Sequence, residues 1–227
     1  MYLLLKRFFD IVFSLFGLVV LSPFLIPIVI LLKLTGEGEV LYLQKRIGFK
    51  NQWFDIWKFA TMLKNSPNMG TGSLTVRDDP RVTIIGKSLR ITKINELPQI
   101  VNVLKGDMSF VGARPQMKVD FDVYSEEVKK IIFTTKPGIT GIGSIVFRDE
   151  EKLMTNSDMP IKEFYAQVIA PYKGELESWY QDNISFYTDF MILFLTAWVI
   201  FFPKSKLHYK IFNNLPTPKN MALVEQF

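Results

Sequence analysis

Twenty-two consecutive residues without a charge, Ile11 to Leu32, constrain this chain more than any other feature. Seventeen of them are strongly apolar, and as a straight helix the run would reach about 33 Å, roughly the hydrocarbon thickness of a bilayer. Ser22-Pro23 sits at its midpoint and Pro27 follows one turn later. Proline lacks the amide donor and crowds the preceding turn, so the pattern predicts a sharp kink. Each half is then only about 10 to 12 residues, too short to cross. Lys6 and Arg7 precede the run, and Lys33, Lys45 and Arg46 follow it. Basic flanks at both ends place both ends on the cytoplasmic side. A helix that enters one leaflet, breaks and returns satisfies the charges and the prolines together, with the Ser22 hydroxyl meeting a freed carbonyl. A cleaved signal peptide would need a small-residue cleavage site, which does not follow the run. A kinked spanning helix and a buried core helix are the other readings of the same residues.

The rest of the chain is ordinary globular material. Apolar residues make up 48% of 227, including 20 Phe, which excludes intrinsic disorder. The absence of cysteine excludes disulfides, thiolate zinc sites and cysteine nucleophiles. One histidine, His208, lies in a basic tail and reads as solvated surface. The net charge of +5 is spread rather than clustered, so nucleic acid is not an expected partner.

Residues 40–43 and 53–57 read as strand-like pieces joined by a polar turn at 48–52. Residues 64–80, with Gly70-Thr71-Gly72 and Arg77-Asp78-Asp79-Pro80-Arg81, read as a loop. Leu97, Ile100, Val101 and Leu104 line one side of a helix over 94–104. Pro98 fits only a first turn, so that helix should start near Asn95-Glu96. A surface helix is expected over 120–133, a glycine-rich loop over 137–143, and a helical region over 160–182 bent at Pro171. The 13 uncharged residues from Phe190 to Phe202 are too short to span and read as interfacial. The expected fold is α+β and mostly helical: an anchor over 1–38, a catalytic domain with small strands over 39–185, and an interfacial helix with a basic tail over 186–227.

Chemistry concentrates between residues 79 and 115. A carboxylate at a helix start, Glu96, caps amides in the plainest reading. The same helix start offers amides and a positive dipole end to a phosphate. Arg90 and Arg114 lie just upstream and downstream, each able to fork onto phosphate oxygens, and Lys58 and Arg81 are further phosphate candidates. Oxygens from Glu96, Asp107 or Asp79 suit magnesium, which bridges a few carboxylates and substrate phosphates. Beside a membrane anchor, these residues point to phosphoryl chemistry on a membrane-bound substrate.

Over residues 5–145 the chain resembles the bacterial sugar transferases, the monotopic polyprenyl-phosphate phosphoglycosyl transferases. The resemblance rests on Lys6-Arg7-Phe8-Phe9-Asp10, Ser22-Pro23, Gln44-Lys45-Arg46-Ile47-Gly48, Lys58-Phe59, Asp79-Pro80-Arg81, Glu96-Leu97-Pro98-Gln99, residues 102–109 and Pro137-Gly138-Ile139-Thr140-Gly141, in the family's order and spacing. It implies transfer of a phosphosugar from a UDP-sugar to undecaprenyl phosphate, with release of UMP and a requirement for Mg2+. It also implies a re-entrant anchor broken at Ser22-Pro23 and a place on the cytoplasmic face of the bacterial inner membrane. The step would open a surface glycan pathway such as O-antigen, lipopolysaccharide or capsule, with a homodimer as a possible assembly. The rival reading from another class is an inactive membrane scaffold for glycan assembly.

The chain departs from the family at three positions. Asn95 stands where members usually carry the nucleophilic aspartate of an Asp-Glu pair, Ala60 where Arg is usual and Ala113 where Pro is usual. An amide does not ionise and is a poor nucleophile toward phosphorus. The departure fits a branch that works with Asn-Glu, a substituted aspartate, or a pseudoenzyme. On the first reading Glu96 is nucleophile or general base with metal contact, and Asn95 positions the phosphate or the metal. Arg90 and Arg114 then bind the diphosphate, Asp107 and Asp79 orient them or complete the metal site, and residues 145–185 shape the donor pocket.

Overall fold

The computed structural model describes residues 2–35, 37–69, 79–155 and 159–219. The Gly70-Thr71-Gly72 and Arg77-Asp78 parts of the expected loop lie outside the described residues. The apolar run forms α1 (Tyr2–Leu34), a single helix with Pro23 and Pro27 inside it. The hydroxyl of Ser22 donates to the Val19 carbonyl at 2.9 Å, the acceptor that Pro23, lacking an amide, leaves without its usual partner. The expected break at Ser22-Pro23 is therefore corrected: the prolines do not terminate the helix, which runs unbroken for 33 residues and is long and apolar enough to cross a membrane.

Helix α1 lies along the body of the protein. Near its start Arg7 donates to the carbonyls of Val103 (2.5 Å) and Leu104 (2.7 Å). Asp10 accepts from the Ser109 hydroxyl at 3.1 Å and the Phe110 amide at 3.2 Å. At mid-length Gly17 leaves room for the Ile100 side chain. Toward its end Leu25, Ile28 and Leu32 pack with Phe59 and Leu89. Its other faces expose Leu4, Phe8, Phe16, Val19, Phe24, Ile30 and Leu34, and only Asp10, Ser14 and Leu32 are buried.

Strands β1 (Leu41–Ile47) and β2 (Trp53–Phe59) form an antiparallel hairpin, with Leu41 opposite Phe59 and Ile47 opposite Trp53. Its connection uses left-handed backbone at Lys50 and Asn51. Helices α2 (Ile84–Ile91) and α3 (Gln99–Lys105) follow. A short parallel pair, β3 (Ser109–Val111) and β4 (Gly138–Thr140), crosses the middle. Here Gly138 runs against the backbone of Gly112 so closely that a Cβ would meet its nitrogen at 2.2 Å. The glycine-rich stretch is thus β4 and the start of α6 (Ile142–Val146), not a loop.

Three helical expectations resolve differently in detail. The helix expected over 94–104 begins as a 3₁₀ turn at Ile94–Glu96, and α3 proper starts at Gln99 with Pro98 as its cap. The expected surface helix over 120–133 is two short helices, α4 (Lys118–Phe121) and α5 (Glu126–Ile131), with Phe121, Tyr124, Ile132 and Phe133 buried. After α7 (Glu150–Thr155) and α8 (Ile161–Phe164), a π turn at Tyr165–Ile169 precedes α9 (Ala170–Asp182). The wider turn comes directly before Pro171, which has no amide to continue the regular ladder.

Helix α9 is the spine of the main core, where Ile169, Leu176 and Tyr180 meet Ile132, Phe133, Ile142, Ile192 and Leu195. Helix α10 (Phe186–Phe201), capped by Ser185 accepting from the Thr188 amide at 3.1 Å, is apolar all round. One face supplies Ile192, Leu195 and Val199 to that core, and the other exposes Phe190, Phe194, Ile200 and Phe201. The Asp189 carboxylate joins three helices by accepting from Tyr2 Oη (2.6 Å), Tyr180 Oη (2.8 Å) and the Lys6 ammonium. The exposed apolar flanks of α1 and α10 are thereby fixed to one body.

The expectation for His208 is corrected. It lies in α11 (Leu207–Ile211) and is only 5% exposed, with both ring nitrogens unpartnered. The tail is strapped onto α9: the Tyr172 and Tyr209 hydroxyls meet at 2.7 Å, Tyr172 donates to the Pro216 carbonyl at 2.9 Å, and Phe212 and Leu215 enter the core. Burial, then nearby Lys206, pushes the imidazole down to about 4.

Candidate active site

The site is built on the turn between α2 and α3. Thr83 caps α2 by accepting from the Gly86 amide at 3.0 Å, and the helix carries Arg90 into its last turn. Lys93 then takes left-handed backbone (φ 60°), an uncommon conformation for a residue with a Cβ. It reverses the chain into the 3₁₀ turn that presents Asn95 and Glu96. Ile94 holds the turn down by packing into the Leu32–Phe59–Leu89 cluster. On the far side, fully buried Asn102 of α3 stitches the turn's supporting helix to β2. Its side chain accepts from the Trp57 amide at 2.9 Å and donates to the Asp55 carbonyl at 2.8 Å. This register places Lys58 of β2 against Glu96.

Glu96 is the centre. One of its carboxylate oxygens, Oε1, receives Lys58 Nζ at 3.5 Å and the Arg114 guanidinium. Burial alone would raise the Glu96 carboxyl, but the charges of Arg114 and Lys58 outweigh it and hold the group well below the ordinary carboxylate range. Burial pushes the Lys58 amine down to about 7; Glu96 opposes this, while Arg114, Arg46 and Arg90 reinforce it. Arg46, pushed down to about 10 by burial and then by Arg114, donates to Gln44 Oε1 through Nε (3.1 Å) and Nη2 (2.6 Å). Asp120 gives Arg46 partial compensation. The result is a cluster of mutually repelling cations around one carboxylate, the electrostatic form of a site for polyanions.

Two buried polar atoms beside this cluster have no partner: Asn95 Oδ1, on a residue 5% exposed, and Gln99 Nε2, on a residue 1% exposed. Buried polar atoms are nearly always hydrogen-bonded, so both atoms have bonding capacity to spare. The 145–185 stretch reaches the same region electrostatically. Lys173 donates to both Glu150 oxygens (2.9 and 2.8 Å), and the charge of Glu150 supports Arg114.

Glu96, Asn95, Lys58 and Arg114 come together as the sequence suggests, with Arg90 contributing charge to Lys58 from α2. Arg81, Asp79 and Asp107 make contacts of their own, although the charge of Arg90 also reaches Asp79. Arg81 is 3% exposed and donates to Asp79 through Nε (2.9 and 3.1 Å) and Nη2 (2.6 Å), and to the Ser66 and Met69 carbonyls through Nη1. Arg81 and Asp79 thus pair with each other and hold the 66–69 turn. Asp107 follows the C-terminal end of α3, where Lys105 (3.2 Å) and Asn102 (3.3 Å) engage it. A seven-residue helix, about 10 Å long, separates it from Glu96, too far to share one cation. Among the described residues no three His, Asp or Glu side chains group as metal ligands. On the turn itself, Asn95 Oδ1 is an unpartnered oxygen next in sequence to the Glu96 carboxylate.

Arg46 enters the sequence reading only as a basic flank of the apolar run and within one of the quoted motifs, with no place in the site. Its two-residue spacing from Gln44 on β1 puts the two on one face of the strand, which is the signal that would have found it. Gln99 lies in the first turn of α3, and its burial follows from tertiary packing alone.

The sequence matches the model of the bacterial sugar transferase family over residues 1–203. The "UDP-N-acetylgalactosamine-undecaprenyl-phosphate N-acetylgalactosaminephosphotransferase" of Aeromonas hydrophila is 37% identical over 147 residues, covering 64% of this chain and 34% of that protein. The "UDP-glucose:undecaprenyl-phosphate glucose-1-phosphate transferase" of Escherichia coli K12 is 35% identical over 190 residues, 82% of this chain and 40% of that one. The chain spans about a third of the first of these relatives. In contrast, it covers 94% of the "Exopolysaccharide production protein PSS" of Rhizobium leguminosarum, at 36% identity over 200 residues. With a cation-ringed Glu96 on a body fixed to two exposed apolar helices, and a family match across nearly its whole length, this chain belongs to the bacterial sugar transferases.

Proposed function

We propose that the protein transfers a sugar phosphate from a UDP-sugar to undecaprenyl phosphate, releasing UMP, at the cytoplasmic face of a bacterial inner membrane. The observation that carries this reading is Glu96 held by Lys58 and Arg114 at the start of a helix packed along α1. The relatives' names supply the donor and acceptor classes. The product would begin a surface polysaccharide.

In this mechanism Glu96 keeps Lys58 and Arg114 in place until the donor arrives. Arg114, with its planar fork, and Lys58, as a point charge, then take the diphosphate oxygens. Arg46 and Arg90 add long-range attraction. The unpartnered Gln99 amide donates to a phosphate oxygen, and the unpartnered Asn95 carbonyl oxygen faces a cation. Magnesium, held by Glu96 Oε2 and Asn95 Oδ1, would neutralise diphosphate charge.

The anchor reading follows from α1. Its first residues, its middle and its last turns all touch one body, which supports a monotopic path rather than a crossing with the body on one side. Lipid covers the apolar flanks of α1 and α10, so this reading assigns no apolar face to a second copy. Release of UMP from a panel of UDP-sugars in the presence of undecaprenyl phosphate tests the function. A panel with no UMP release, or one that yields UDP, would defeat it.

A further inference from the structure

We infer that the start of α1 and the end of α3 form a binding site for the phosphate of an anionic phospholipid headgroup, separate from the cluster around Glu96. The inference rests on the reading of α1 as a membrane helix and needs no particular donor or acceptor.

The site is centred on Gly106, the residue that ends α3. Its backbone is left-handed (φ 95°), and its amide donates to the Asn102 and Val103 carbonyls at 3.0 Å, a closing position that favours glycine. The missing side chain has a second effect. A Cβ there would stand 3.1 Å from Lys136 Nζ and 3.2 Å from Arg7 Nη2. Cations from two distant segments thus converge on one small space that glycine keeps clear. Lys105, half-exposed, supplies a third, with its ammonium 6.0 Å from the centre of the Trp57 ring.

These three cations are poorly neutralised. Asp107 is engaged by Lys105 at 3.2 Å and by Asn102 at 3.3 Å. Asp10 is turned to the Ser109 hydroxyl and the Phe110 amide. Arg7 spends two of the five N–H groups of a guanidinium on the Val103 and Leu104 carbonyls, which carry no charge. Lys6 pairs with Asp189, whereas among the described residues Arg7 and Lys136 form no salt bridge. Like charges that the fold holds together without a counter-ion favour an anion that brings its own charge. Arginine and lysine side by side suit a phosphate, one as a planar fork and the other as a point charge.

The place of the cluster in the fold decides which phosphate. It lies at the opposite end of α3 from Glu96, about 10 Å of helix away, too far to share a diphosphate seated there. It also adjoins the lipid-facing flank. Leu3, Leu4 and Phe8, within one turn of Arg7 on α1, are exposed, and so is Leu43, opposite Trp57 in the hairpin. Basic residues at the end of an apolar helix, with tryptophan beside them, occupy the headgroup level of a membrane. A phospholipid can lay its acyl chains along α1 while its phosphate meets Arg7, Lys105 and Lys136. A soluble phosphate gains nothing from the apolar half of this surface.

The test uses the full chain in neutral detergent, titrated with phosphatidylglycerol, with bound lipid counted by native mass spectrometry. The expected result is one saturable phosphatidylglycerol, not displaced by phosphatidylcholine. Lys105→Gln with Lys136→Gln, which leaves Arg7 to cap α3, should weaken binding about thirtyfold, at about fivefold per basic residue. Lys130→Gln with Lys162→Gln removes the same charge from two exposed lysines on α5 and α8 and should leave binding unchanged. Wild-type affinity should also fall as salt rises, a readout that needs no variant. Equal affinity in the two double variants, affinity indifferent to salt, or equal competition by phosphatidylcholine overturns the inference. Displacement by inorganic phosphate at matched concentration overturns it in favour of a soluble anion, and displacement by undecaprenyl phosphate in favour of the acceptor. None of these readouts involves turnover, so their failure leaves the proposed function standing. A donor panel without UMP release likewise leaves the lipid site standing.

Discussion

Lys58 gives the site a measurable dependence on pH. In the free protein its amine titrates at about 7, because burial and the neighbouring guanidinium groups outweigh Glu96. Only the ammonium form attracts a diphosphate. Below pH 7 the cation is already present, and donor affinity should be flat. Above pH 7 the amine must take up a proton for binding, so affinity falls up to tenfold per unit. Between pH 7 and 9 the loss approaches a hundredfold, about 3 kcal/mol. Calorimetric titration of the UDP-sugar without acceptor, at pH 8 in buffers of different ionisation enthalpy, should show uptake approaching one proton. Lys58→Arg, whose guanidinium stays charged, should flatten the pH profile. Donor affinity that is level from pH 7 to 9 in the wild type, with no dependence on buffer, would refute the placement of Lys58 against the phosphates.

Two further expectations concern stability. Arg81→Met strands the Asp79 carboxylate, 6% exposed, and should cost about 3–5 kcal/mol, read as a lower Tm; donor KM in the folded protein should hardly move. His208 contributes a pH term of opposite origin. Its folded value of about 4 lies below the 6.5 of an ordinary histidine, so the unfolded chain binds the proton more readily between these values. Stability should therefore fall as pH drops from 6.5 to 4, by up to about 3 kcal/mol, and His208→Leu should remove most of that slope in urea unfolding.

What could be read from the sequence was whatever depends on local pattern. The uncharged run and the two strand-like pieces of the β1–β2 hairpin follow from hydropathy and turn residues, and Glu96, Arg114 and Lys58 stand out as the charged residues of the family's motifs. The hydroxyl of Ser22 meets the carbonyl freed by Pro23, as local geometry requires. The misreadings arise where tertiary contact decides. Arg81 and Asp79 look like ligands in a polar loop, yet two residues apart they can close on each other once the chain buries them. Asp107 is near Glu96 in sequence and is carried away by the length of α3. His208 belongs to a basic tail by composition, but tyrosine contacts pull that tail onto α9. Arg46 reads in the sequence only as a flanking cation, because its place beside Lys58 and Arg114 depends on where β1 packs.

The central claim is that phosphorus moves with the sugar. A donor labelled with 32P at its sugar-bearing phosphate tests this in one extraction. With undecaprenyl phosphate and wild-type protein, the label should pass into the lipid phase as UMP stays behind, and Glu96→Gln should abolish the transfer. Label left in water as UDP while the sugar alone enters the lipid, or undiminished transfer by Glu96→Gln, would contradict the account.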